Sequence, residues 1–152
     1  MRVLLGRQRD RHPDVPSVRQ TLTTIVRMLP PATVDLTCEM IDLAPMIFRQ
    51  RLVIEGTCPE PIDDRQITTY LEQLSDVCGM HALIAPVTHR SDLYGWAGWI
   101  HWETSGAHLY AWEQPLLLFS VDIYTCKGFD PERAIEFTRA FFQAPDITAR
   151  SF

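Results

Sequence analysis

The residues best suited to chemistry lie in one stretch, Gly95 to Trp112. It holds all four tryptophans, two of the five histidines, a glutamate and a Thr-Ser-Gly segment between two apolar runs. Alternation makes each run a β-strand. In the first, Trp99, His101, Glu103 and Ser105 share a parity and therefore a face; in the second, His108, Tyr110 and Trp112 do. A tight corner at Ser105-Gly106 would set a hydroxyl nucleophile beside a carboxylate, imidazole bases and aromatic rings. A further strand, Leu117 to Gly128, ends in Cys126, read either as a small buried residue or as a thiol that its place beside a glycine turn leaves reachable. Spacing alone leaves a second reading open, in which alternating tryptophans pack a core or an interface and strand-end histidines are half-buried neighbours.

Other elements must hold this stretch in place. Phe48 to Thr57 alternates as a strand, with Leu52 and Ile54 on one side. Asp63 to Cys78 has the pattern of a helix. Asp63 caps it, Gln66 three residues on closes a capping box, Ile67, Leu71, Leu74 and Cys78 form the apolar stripe, and Gly79 ends it. Cys78 on that stripe reads as a small core residue. His81 to Thr88 is expected to be a strand. A second helix opens at Asp130-Pro131, buries Ala134, Phe137 and Phe141 with Ile135 and Phe142 alongside, and stops at Pro145. Ile147 to Arg150 suits an edge strand. In the first 45 residues, 1–16 read as a lead-in arm, Ser17 to Leu29 as a short helix and Thr33 to Ala44 as ambiguous, with an extra strand as one reading. Strands joined by hairpin-length connections and flanked by two helices predict an α+β fold: a two-layer sandwich, an antiparallel sheet with two helices on one face. The expected domains are an N-terminal extension, 1–45, and a folded domain, 46–152. The uncovered sheet face suggests a homodimer.

A chain of 152 residues is long enough for one domain with a proper core. The net charge of −5 and the lack of a basic cluster argue against nucleic acid as a partner. The four cysteines stand singly, without a C-x-x-C pair, so no metal site is expected and a reducing cytoplasm is the simplest compartment. No apolar run suits a membrane span.

From about Arg49 to Arg150 the chain resembles the short bacterial form of S-adenosylmethionine decarboxylase, a self-processing pyruvoyl enzyme. The resemblance rests on His89-Arg90-x-x-x-Tyr94-Gly95-x-x-Gly98, then Ser105 and Trp112, then, one residue later than in the family, Asp122-Ile123-Tyr124-Thr125-Cys126, and Asp130-Pro131. It implies the α+β fold above and a role for each matching residue. Ser105 would be the pyruvoyl precursor, with cleavage between Thr104 and Ser105, and the resulting ketone would be the electron sink for loss of carbon dioxide. Cys126 would return a proton to the α-carbon. Trp112 would stack on adenine and help hold a sulfonium.

The departures from the family pattern are specific. Thr104 stands where the family has glutamate, with Glu103 displaced to the other side of the strand. Tyr110 replaces the histidine central to processing, Ser91 a second adenine-stacking aromatic, Ala97 a serine, and Gln114 the ribose-binding acid. His108 or His101 would have to supply the missing base. Three functions follow. The first is a decarboxylase using a pyruvoyl group made from Ser105, acting on S-adenosylmethionine or a related amino acid. The second is an unprocessed homologue that eliminates or cyclises S-adenosylmethionine, with Tyr110 and Glu103 positioning the proton transfer. The third is a catalytically silent regulatory partner of a true decarboxylase. Across these readings the candidate catalytic residues are Ser105, Cys126, Tyr110, Glu103 and His108. The candidate substrate-binding residues are Trp112, Gln114 and Ser91.

Overall fold

The computed structural model describes residues 42–152. Along this part the chain runs β1 (Gln50–Thr57), α1 (Asp64–Val77), β2 (Val87–Ser91), β3 (Gly95–Trp102), β4 (Ser105–Trp112), β5 (Leu118–Thr125), α2 (Pro131–Phe142) and β6 (Ile147–Ser151). The strands form one sheet in the order β2-β3-β4-β5-β1-β6, and every neighbouring pair is antiparallel.

Alternation sorts the two faces. Leu52, Ile54, Ile100, Trp102, Leu109, Phe119, Val121 and Ile123 point inward and are buried against the helices. Trp99, His101, His108, Tyr110 and Tyr124 point the other way and are exposed. Asp63 caps α1 through the expected box, its carboxylate accepting from the Gln66 N–H while the Gln66 side chain accepts from the Asp63 N–H. The contact between α1 and the sheet is tight: a Cβ on Gly98 would collide with Ile67 of α1. The helices are joined by a buried hydrogen bond of 2.8 Å between the hydroxyls of Tyr70 and Thr138, and Tyr70 packs among Phe137, Phe141 and Phe142. α2 is capped by Asp130, with proline in its first turn. It ends where Gln143 adopts the left-handed conformation, two residues before Pro145. The result is the two-layer α+β architecture read from the sequence.

Three expectations need correction. His81 to Thr88 is not one strand. Ala82 makes an isolated bridge to Trp102, and the ladder of β2 begins only at Val87, because Pro86 has no N–H to donate. The hairpin turns at Glu103-Thr104, between the paired residues Trp102 and Ser105, and not at Ser105-Gly106. Consequently Glu103 belongs to the turn, and Ser105 does not continue the face of Trp99 and His101. On the second helix, Thr138 is fully buried while Phe137, Phe141 and Ile135 are half-buried. The helix read at Ser17 to Leu29 lies outside the described residues, as does the segment from Thr33 except for 42–44, which are irregular.

Candidate active site

Ser105 is the first residue of β4 and has a φ of 131°. A non-glycine residue there carries backbone strain of order 1–3 kcal/mol, which the surroundings must hold in place. They do so from below. Trp102, the last residue of β3, is fully buried and its indole N–H donates to Ser75 Oγ at 2.8 Å, which in turn donates to the Leu71 carbonyl of α1. Met80, just past α1, lies under Thr104 and Thr125. Lys127 Nζ donates to the Gly79 carbonyl at 2.6 Å. The end of α1 thus anchors both the β3–β4 turn and the exit of β5.

At this anchored end the Ser105 Oγ lies 3.9 Å from the Cys126 Sγ. Cys126 is exposed, whereas Cys58 and Cys78 are buried. Burial pushes the Cys58 thiol up and the Cys78 thiol up to about 12, so neither is a ready thiolate. Cys126 also contributes its backbone: its N–H donates to the Thr104 carbonyl at 2.9 Å.

The opposite end of the sheet gathers the rings. Trp112 closes β4, with Tyr110 beside it at 5.9 Å between centroids, and Tyr94 meets Tyr110 edge-on at 6.4 Å. Gly95 pairs with both Ser91 and Trp112, so Ser91 sits in the same row. Its hydroxyl accepts from the Leu93 N–H. Arg90 pairs with Glu113 at 3.2 Å and lies over the Trp96 ring. Gln114 is exposed in the loop just beyond. In the middle of the open face His108 stands opposite Asp122, which is held by a two-point ion pair with Arg51, and near the Trp99 ring.

The candidate residues therefore fall into two groups. Ser105, Cys126 and Glu103 occupy one end; Trp112, Tyr110, Ser91 and Gln114 occupy the other. Tyr110 is five residues along an extended strand from Ser105, about 17 Å, and Trp112 seven, about 23 Å. The expectation that Ser105 lies close to both in one chain is corrected: they share a strand and not an end. Tyr110 and Glu103 are likewise apart, which removes the geometric basis for their acting together on one molecule within a chain. Tyr94, Asp122 and Thr125 stand in the motifs that carry the resemblance but receive no role from them, and nothing in the sequence pattern marks Arg51. Thr125 had a usable signal, since it carries inward parity between outward Tyr124 and Cys126.

The chain thus combines an antiparallel sheet carrying two helices with a serine–cysteine pair at one end of it. A family model described as S-adenosylmethionine decarboxylase matches residues 53–152. The chain belongs to that family. Its structure is similar to that of the adenosylmethionine decarboxylase from Aquifex aeolicus vf5, with 16% identity, a TM-score of 0.57, and coverage of 70% of this chain and 89% of that one. None of the curated proteins compared with the chain matches it. Among the described residues no cluster of histidine, cysteine and acidic side chains could hold a metal, and no helix is long and apolar enough to cross a membrane.

Proposed function

We propose that this chain is a self-processing decarboxylase acting on S-adenosylmethionine or a related amino acid, with a pyruvoyl group made from Ser105. The observation that carries the proposal is the strained Ser105, φ 131°, with its hydroxyl 3.9 Å from the Cys126 thiol. These residues fit the group. Ser105 is the residue that becomes it, the preceding carbonyl already has a hydrogen-bond donor, and an exposed thiol faces the position. Ser105 Oγ attacks the Thr104 carbonyl carbon and the amide becomes an ester. Loss of the Ser105 α-proton then breaks the Cβ–O bond and frees Thr104 as a carboxylate, and water replaces the Ser105 nitrogen, which leaves as ammonia. When formed, the pyruvoyl ketone supplies an electron sink for loss of carbon dioxide. Cys126 holds the proton that is returned to the substrate α-carbon.

The separation of the two ends supports a site shared between two copies. Among the described residues, the sheet face away from the helices carries Trp99, Tyr110 and Tyr124, at 39–42% exposure, an aromatic surface suited to burial. A two-fold axis running between two such sheets and across their strands lays the Trp112 end of one copy over the Ser105 end of the other. Trp112 and Tyr110 then form the wall for adenine and sulfonium beside the partner copy's Ser105 and Cys126. Gln114 can hydrogen-bond a ribose hydroxyl as a neutral partner, weaker than a carboxylate. The test is release of carbon dioxide from S-adenosylmethionine by the wild-type chain and none by Ser105→Ala. Wild-type protein that releases none from S-adenosylmethionine or related amino acids contradicts the proposed activity.

A further inference from the structure

Thr104, whose carbonyl Ser105 would attack, is held at two points, one on its carbonyl and one on its side chain, and we infer that Thr125 is the positioning residue that keeps it there. This rests on the self-processing reading above. The Thr104 oxygen accepts the Cys126 N–H at 2.9 Å. The Thr104 hydroxyl points the other way, into the protein, where it accepts from Thr125 Oγ1 at 3.1 Å and donates to Met80 Sδ at 3.4 Å. Thr125 is fully buried and stands directly opposite Ser105 in the β4–β5 register. Its hydroxyl oxygen also accepts the Lys127 N–H at 3.0 Å, so both its donor and an acceptor site are in use. Its nearest acceptor is the Thr104 oxygen, with Met80 Sδ a longer second choice at 3.8 Å, so its favoured orientation is toward Thr104. That orientation fixes the Thr104 side chain, and through it the plane of the Thr104–Ser105 peptide.

The consequence bears on the first step. As the Ser105 Oγ–C bond forms, the carbonyl π electrons move onto the Thr104 oxygen. The charge develops where the Cys126 N–H already points. The C–N bond then breaks, and the Ser105 nitrogen takes up the proton that the hydroxyl gave, so no proton is gained or lost. A single preorganised donor on such an oxygen is worth about 100- to 1,000-fold in rate. The same clamp gives Thr104 a task at the position where the family has glutamate: its side chain anchors the peptide inward, and the backbone of Cys126 serves the carbonyl.

Two readouts test the inference. In the native chain, Thr125→Val keeps the shape but deletes the hydroxyl, and cleavage slows at least about tenfold, whereas Thr125→Ser, which keeps the hydroxyl, stays within about threefold. In a Ser105→Ala background, whose backbone stays intact, amide hydrogen exchange by NMR shows Cys126 losing about tenfold or more of its protection on adding Thr125→Val, while Leu109 and Val121 keep theirs. Thr104→Val deletes the other half of the same hydrogen bond from a half-buried position and gives the same exchange result if Thr125→Val does not fold. Unchanged protection at Cys126, or native-rate cleavage in folded Thr125→Val, overturns the inference. If the native chain does not cleave at all, the self-processing reading fails, and exchange at Cys126 alone decides whether Thr125 holds the carbonyl.

Discussion

Ser105 and Cys126, 21 residues apart in the chain, place a hydroxyl and a thiol 3.9 Å from each other where β4 begins and β5 ends. Cys126 reaches this spot with two different groups, its Sγ toward Ser105 and its N–H toward the Thr104 carbonyl. Replacing the side chain therefore separates two tasks. Cys126→Ala keeps the N–H and should still cleave, while substrate turnover falls about 100- to 10,000-fold, the scale of a lost general acid. Single-turnover kinetics beside a denaturing gel check this. Loss of cleavage in step with turnover would mean that the thiol itself is needed for processing.

At the far end of the sheet, Trp112→Ala should weaken binding of S-adenosylmethionine or methylthioadenosine by about 1–3 kcal/mol, the scale of one lost base-stacking partner. Isothermal titration measures it. If each site takes its rings from the other copy, co-expressed Ser105→Ala and Trp112→Ala chains should recover about a quarter of the native sites, although each is inactive or weak alone. Recovery no greater than the separate variants would place the site within one chain.

The hairpin anchor predicts a stability effect. Trp102→Phe keeps an aromatic core but removes the N–H held by Ser75, and should cost about 1–3 kcal/mol in a urea titration. Ser75→Ala removes the acceptor instead and leaves the indole N–H buried without a partner, so it should cost a similar amount. The two changes together should cost less than their sum.

Cys78 supplies a test with a pH signature. Burial raises its thiol from the ordinary 9.0 to about 12. Below 9 folded and unfolded chains both hold the proton. Above it the unfolded chain loses the proton first, so this contribution to stability falls as pH rises from 9 toward 12. The stability difference between native protein and Cys78→Ala should therefore shrink between about pH 8 and about pH 10.5. A difference that stays constant would show that the thiol is not shielded in the folded state.

What was legible in the sequence was mostly local. Asp63 with Gln66 and Asp130 with Pro131 announce helix starts within four residues, and the structure has both caps. Strand parity correctly put Leu52 and Ile54 inside. Parity assigns a face, however, and says nothing of which end of a sheet a residue occupies. Ser105 and Trp112 looked like neighbours because they flank one strand, yet the length of an extended strand keeps them apart. Alternation carries no mark of where the backbone changes to positive φ, so it does not locate the turn at Glu103-Thr104. Pro86, a strand breaker inside an apolar run, delays the ladder of β2 to Val87. The Thr104–Thr125 hydrogen bond joins residues 21 apart, a contact that only the β4–β5 register creates.

The central claim is that Ser105 becomes a pyruvoyl group, and intact mass under denaturing conditions tests it most directly. Purified protein incubated to completion should give two fragments, one ending at Thr104 and one beginning at residue 105. The second should be blocked to Edman degradation and lighter by one ammonia than a serine-started fragment. Ser105→Ala should remain a single chain. A native chain that keeps one full-length mass after prolonged incubation would contradict the account.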